Sequence, residues 1–125
     1  LYALVLIAPA TVLKNACQNG KLFDARFDPV NPPEYVKCFG LMKLGHEYLL
    51  TTQQLDIYGT ASAYHGPVLI LHGKNDRLVP LWCSQQYLTT YPTTSQLTIV
   101  EGENHRISRR TKKVATLVTQ FFKQH

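Results

Sequence analysis

Three stretches of this chain read as strands: Leu1 to Ala8 and Val68 to Leu71 are apolar without alternation, and Leu97 to Val100, with Thr98 inside it, is too short to settle alone. An unbroken apolar run of about four to eight residues suits a strand buried on both faces, as in a parallel sheet with helices on either side. The second run follows Gly66 and Pro67, and the third is closed by Gly102. Between them, Pro80 to Tyr91 opens with a proline suited to a first helical turn and stops before Pro92. After the third, Val114, Leu117, Val118, Phe121 and Phe122 recur at i, i+3, i+4, i+7 and i+8, which is the stripe of an amphipathic helix. Strand, helix, strand, helix in that order predicts right-handed βαβ crossovers and an α/β fold.

Roughly 60 residues separate the first two strands, whereas loops in α/β units usually take about two to six. Residues 12–62 therefore read as an insertion. Its first half, Lys14 to Tyr35, holds Gly20, Asp28-Pro29 and Asn31-Pro32-Pro33, which favour turns and extended chain. Its second half, Leu41 to Tyr58, has Leu41, Leu44, Tyr48, Leu49 and Leu55 near helical spacing and predicts helix. An excursion above the carboxyl ends of parallel strands would cover the place where α/β ligand sites form.

Composition narrows the class. The 125 residues are 45% hydrophobic and 17% charged, too apolar for a disordered chain and too few for two independent domains. The first residue is Leu1 and the opening run is already a buried-strand pattern, so the chain is expected to begin inside a fold. That run is well under the roughly 18 to 20 residues that cross a bilayer and has no basic leader, so neither a membrane partner nor a signal peptide is expected. Cys17, Cys38 and Cys83 are odd in number and lack paired spacing, which predicts free thiols, no metal site and a cytoplasmic setting. The net charge of +5 owes much to Arg106, Arg109, Arg110, Lys112 and Lys113 at the start of the last helix. With no groove-reading motif and no interleaved aromatics, this is a solvated face and not a nucleic-acid site.

Chemistry concentrates after the second and third strands. His72-Gly73-Lys74-Asn75-Asp76 puts a turn glycine and then a carboxylate at one strand end. Glu101-Gly102-Glu103-Asn104-His105 puts a histidine at the next. One helix and one strand separate Asp76 from His105, so adjacent parallel strands would bring both to the same sheet edge. A buried aspartate can hold a histidine's tautomer and stabilise the imidazolium formed when it takes a proton. Each residue alone also reads blandly, the aspartate as a turn or cap residue and the histidine as a solvated one.

These motifs carry a resemblance. His72 to Pro80 followed by Leu97 to His105 and a terminal amphipathic helix looks like the carboxyl-terminal portion of an α/β-hydrolase, with parallel strands six to eight and flanking helices. In that superfamily Asp follows strand seven, His follows strand eight, and a variable cap follows strand six. Within the insertion, Leu44 to Leu49 and Gln53 to Tyr58 resemble the cap of bacterial cinnamoyl (feruloyl) esterases. The resemblance implies Asp76 as triad acid, His105 as general base, Tyr48 as a contact to the phenolic end of the substrate, and no cofactor. Tyr48 equally reads as a core tyrosine with its hydroxyl in water. His72 reads as a supporting or packing residue, and Trp82 and Tyr87 as packing on the sheet.

One part of the pattern is missing. A nucleophile elbow needs G-x-S-x-G between strand and helix, and none of Ser62, Ser84, Ser95 and Ser108 stands in that motif. The expectation is a serine esterase segment whose nucleophile lies upstream of Leu1, inactive alone, acting as part of the whole enzyme on a small carboxylic ester. Its unpaired first strand would then associate with the missing part or with a second copy of itself. The rivals are a short non-catalytic binding module and a hydrolase of another substrate class: a peptidase, a lipase, or a dienelactone hydrolase with a cysteine nucleophile.

Overall fold

The computed structural model describes residues 2–91 and 95–125, so Leu1 and Pro92, both named above, lie outside the described residues. In chain order the first elements are β1 (Leu4–Ile7), α1 (Val12–Asn19), β2 (Lys21–Leu22), β3 (Ala25–Arg26), β4 (Tyr35–Cys38) and β5 (Met42–Gly45). Then come α2 (His46–Thr52), α3 (Ile57–Ser62), β6 (Val68–Gly73), α4 (Leu81–Thr90), β7 (Ser95–Val100) and α5 (Thr111–Gln124). They form two units, Thr11–Asp56 and the remainder of the described chain. Of the 12–62 insertion, α3 therefore goes with the sheet.

In the unit outside Thr11–Asp56, β1, β6 and β7 make a parallel sheet in the order β1-β6-β7. Leu4 pairs with Val68 and Ile7 with Leu71 on one side, and Val68 with Ser95 and Gly73 with Val100 on the other. The central strand is buried from Val68 to His72. Side chains alternate across its two faces. Leu69 and Leu71 pack with Val100 and with Val114 and Phe121 of α5, while Val68 and Ile70 pack with Tyr91 and with Tyr87 and Leu88 of α4. Burial on both faces, expected of all three strands, holds for β6 alone. Ile7 of β1 and Ile99 of β7 are 44% and 41% exposed, because both strands are edges of the described sheet.

The helices also differ in detail from expectation. Pro80 is extended and caps α4 from outside, and Trp82 on its first turn is 39% exposed. Tyr87 does pack, stacked on Tyr91. Since α5 begins at Thr111, Arg106, Arg109 and Arg110 lie in the turns ahead of it and only Lys112 and Lys113 are helical. Its buried stripe is narrower than the pattern implied. Phe122 sits about 80° around the helix from Val114, against about 20° for Phe121, and is half-exposed.

The Thr11–Asp56 unit departs most from the sequence reading. A helix, α1, forms where turns were expected, burying Cys17 beside Leu13 and Ala16. Gly20 ends it at φ +71, where its amide meets the Ala16 and Cys17 carbonyls and a Cβ would fall 2.2 Å from the Phe27 carbonyl oxygen. The expected helix from Leu41 to Tyr58 is broken into a strand and two short helices. β4 and β5 pair antiparallel, with Tyr35 opposite Gly45 and Cys38 opposite Met42. Along β4, Val36 and Cys38 are buried while Tyr35 and Lys37 are exposed, a period of two. The unit's core joins Leu22, Ala25 and Leu49 to these residues. Cys17, Cys38 and Cys83 are all buried free thiols. No helix among the described residues is long and apolar enough to cross a membrane.

Replacement of Leu71 by Ala is expected to cost about 2–5 kcal/mol in urea unfolding, and Phe122→Ala under about 1 kcal/mol. Equal losses would mean that α5 docks through a different face.

Candidate active site

The site follows from where β6 and β7 stop. Their paired ends are Gly73 and Val100, and the ladder runs one step further through a hydrogen bond from the Lys74 amide to the Val100 carbonyl, at 3.0 Å. Two loops therefore leave the sheet side by side. They touch so closely that a Cβ on Gly73 would lie 2.7 Å from the Glu103 carbonyl oxygen. The Asn75 amide donates to that same oxygen at 2.9 Å.

Asp76 has its two carboxylate oxygens divided between structure and chemistry. Oδ1 accepts the amides of Leu78 and Val79 at 2.9 and 2.8 Å, the turn role. Oδ2 accepts from Nδ1 of His105 at 2.8 Å. The Asp76 side chain is inaccessible to solvent, whereas that of His105 is 35% exposed. Burial pushes the Asp76 carboxyl up, but the Val79 amide, His105 and the Leu78 amide outweigh it and hold the carboxyl below the usual carboxylate range. With Nδ1–H donating to Asp76, Nε2 of His105 is left as the acceptor, the state a general base requires.

His72 supports this pair from beneath. It is buried, and its Nε2 lies 2.9 Å from the Val79 carbonyl, which can only accept, so Nε2 carries the proton. Nδ1 then accepts from Ser84 Oγ at 2.6 Å. The ring thus fixes the end of the Asp76 turn to α4, with Nε2 3.6 Å from Asp76 Oδ2.

Glu103 had no role in the sequence reading, yet it is 1% exposed. Oε1 accepts the amides of Asn104 and Arg109 at 2.7 and 3.3 Å, and Oε2 accepts that of Arg110 at 2.8 Å. Burial raises this carboxyl, and the amides of Asn104, Arg110, Arg109 and Ser108 together bring it below the ordinary glutamate value. No sequence signal marked it, because Glu103 stands eight positions ahead of the helix start at Thr111, outside the usual capping positions.

Each serine hydroxyl has a partner other than His105. Ser62 donates to the Gly59 carbonyl, Ser95 to that of Leu88 and Ser84 to His72, while Ser108 accepts from Asn104 Nδ2. Cys83 is buried, and burial pushes the thiols of Cys17 and Cys38 up, away from nucleophilic chemistry. Tyr48 is 39% exposed on α2 in the Thr11–Asp56 unit. Burial pushes its phenol up from the ordinary tyrosine value. Asp76 and His105 border a cavity of about 830 Å3 whose rim includes Lys74, Arg77, Leu78, Asn104, Arg106 and Arg109.

Comparison with solved structures gives a TM-score of 0.92 against Est1E from Butyrivibrio proteoclasticus, at 27% identity. The chain has the fold of an α/β-hydrolase portion. The match covers 99% of this chain and 51% of Est1E, so the chain spans about half the length of that neighbour. Est1E with ferulic acid bound matches with a TM-score of 0.90, again at 27% identity, over 99% of this chain and 49% of that one. A structure from work on LipS and LipT, two metagenome-derived lipolytic enzymes, shares the fold at a TM-score of 0.67 and 14% identity, over 100% of this chain and 56% of its own. No protein-family model matches the sequence, and no curated protein does. The resemblance to an α/β-hydrolase portion of the feruloyl esterase kind therefore extends from the motifs to the whole described fold.

The lowered Asp76 carboxyl sets a direction for stability. Its folded value lies below its unfolded one, so its contribution is complete above the unfolded range, about pH 4, and is lost as pH falls through the folded value. The melting temperature of the unsubstituted chain should exceed that of Asp76→Asn near neutrality, and the gap should close with acidification. A gap that widens on acidification would contradict this.

Proposed function

We propose that this chain supplies the acid and the base of a serine-type carboxylic ester hydrolase. The observation that carries the proposal is the 2.8 Å hydrogen bond between Asp76 and His105 at the ends of two paired parallel strands. The likeness to Est1E and to lipolytic enzymes supports the ester-hydrolase class.

In this reading His105 Nε2 takes the proton of a serine hydroxyl as its oxygen bonds to the ester carbonyl carbon. Asp76 stabilises the resulting imidazolium across the Nδ1 bond, and His105 returns the proton to the departing alcohol. A water, activated by the same nitrogen, then releases the acid and restores the serine. The serine and the oxyanion hole come from polypeptide beyond these 125 residues, and the chain alone is inactive. That Est1E has been solved with ferulic acid bound supports a hydroxycinnamoyl ester as substrate, with Tyr48 the candidate contact for the phenolic ring. In the same reading, β1 pairs along its open side with a further strand, from the rest of the enzyme or from a second copy, since an apolar unpaired edge is a pairing hazard.

The test is hydrolysis of a p-nitrophenyl acyl ester. The 125-residue chain should give only the buffer rate. The protein that carries it together with a G-x-S-x-G segment should be active, and His105→Ala should lower its kcat by on the order of a thousandfold or more. Hydrolysis by the isolated chain that is abolished by His105→Ala would overturn the division of labour, and full activity of that variant would overturn the role of His105. In sedimentation the chain should run as a dimer or with a second polypeptide; a lone monomer contradicts the pairing of β1.

A further inference from the structure

Between His105 and α5 the chain makes an unfavourable turn. Ile107 sits at φ +54, in the left-handed region, which costs a β-branched residue on the order of 1–2 kcal/mol. Asn104, Ser108, Arg109 and Arg110 would otherwise present amides with no helical partner. Those of Asn104, Arg109 and Arg110 converge on the Glu103 carboxylate, which the fold has withdrawn from water, while that of Ser108 donates to Asn104 Oδ1 at 3.4 Å. A buried carboxylate is tolerated only where hydrogen bonds replace its hydration, and here the bonds come from the turn itself. The backbone of the same residue binds the opposing loop, its carbonyl accepting the Asn75 amide at 2.9 Å one position before Asp76.

Glu103 thus stands where the two loops of the pair meet. Its side chain closes the loop that carries the histidine, and its main chain fastens that loop to the one that carries the aspartate. Glu101 is the internal contrast. Two positions earlier and of the same charge, its side chain is 70% exposed and pairs with the Lys74 ammonium, at 3.2 Å.

We infer that Glu103 is a positioning residue for His105: its carboxylate holds the imidazole in register with Asp76 by gathering the amides of Asn104, Arg109 and Arg110. The inference rests on the proposed esterase reading only for its consequence in catalysis, because the geometry it concerns exists without substrate. Loss of the carboxylate leaves those amides unpaired, frees Ile107 to leave its strained conformation, and lets the ring drift from Oδ2.

The experiment is proton exchange by nuclear magnetic resonance on the chain itself, reading the His105 Nδ1 proton. Glu103→Gln keeps the size of the side chain but turns one acceptor into a donor facing amides. It should speed exchange of that proton by about tenfold or more, the effect of losing hydrogen bonds to a charged group. Glu103→Ala should do so further, and Glu101→Gln should leave the rate unchanged. If the Glu103 variants do not fold, the unsubstituted chain still decides: the amide protons of Asn104, Arg109 and Arg110 should be protected and should exchange in concert with the His105 proton. Unchanged exchange in folded Glu103→Gln, or independent exchange in the unsubstituted chain, overturns the inference. Ester hydrolysis is a separate readout. In the active protein Glu103→Gln should lower kcat with KM unchanged, while absence of any hydrolysis bears on the esterase reading and leaves the exchange result standing.

Discussion

The parallel register of β6 against β7 is the constraint from which the rest of the site follows. Gly73 and Val100 end their strands as partners, and the next hydrogen bond, from Lys74 to Val100, carries the alignment into the loops. Asp76 and His105 then need only short turns to meet at 2.8 Å. The register itself is held by burial on both faces of β6, with α5 on the Leu69 and Leu71 side and α4 on the Val68 and Ile70 side. A one-residue slip would exchange those sets and carry the aspartate away from the histidine.

Anions buried at this edge are stabilised by backbone more than by opposite charge. Asp76 receives two amides and one imidazole, and Glu103 receives only amides. Backbone donors cost no side-chain entropy and stay in place whatever the protonation of neighbouring groups. An aspartate held in this way keeps its charge while the adjacent imidazole gains and loses a proton, which is the property an acid–base pair demands. His72 contributes at one remove, joining the Val79 end of the Asp76 turn to Ser84 on α4.

The legible parts of the sequence were those in which one residue type answers one local requirement. The unbroken run Val68 to Leu71 reads as a strand buried on both faces and is one, and Asp76 and His105 stand at strand ends where the α/β architecture exposes chemistry. The region 14–58 was less legible because its signals compete. Gly20 and the prolines from Pro29 onward hide a helix that ends at Asn19, and Leu44 and Leu49 lie near helical spacing although Leu44 belongs to a strand and Leu49 to a helix. Glu103 was invisible for a different reason. Its partners are backbone amides up to seven positions ahead, and nothing in the identity of those residues announces that the chain folds back on the carboxylate.

The central claim is a division of labour: acid and base in these 125 residues, nucleophile outside them. Labelling with a fluorophosphonate followed by peptide mapping tests it most directly, applied to the native polypeptide that carries this chain. The account predicts a single modified serine within a G-x-S-x-G segment, modified far more slowly when His105 is replaced by Ala. Modification of Ser62, Ser84, Ser95 or Ser108, or labelling indifferent to His105, would contradict it.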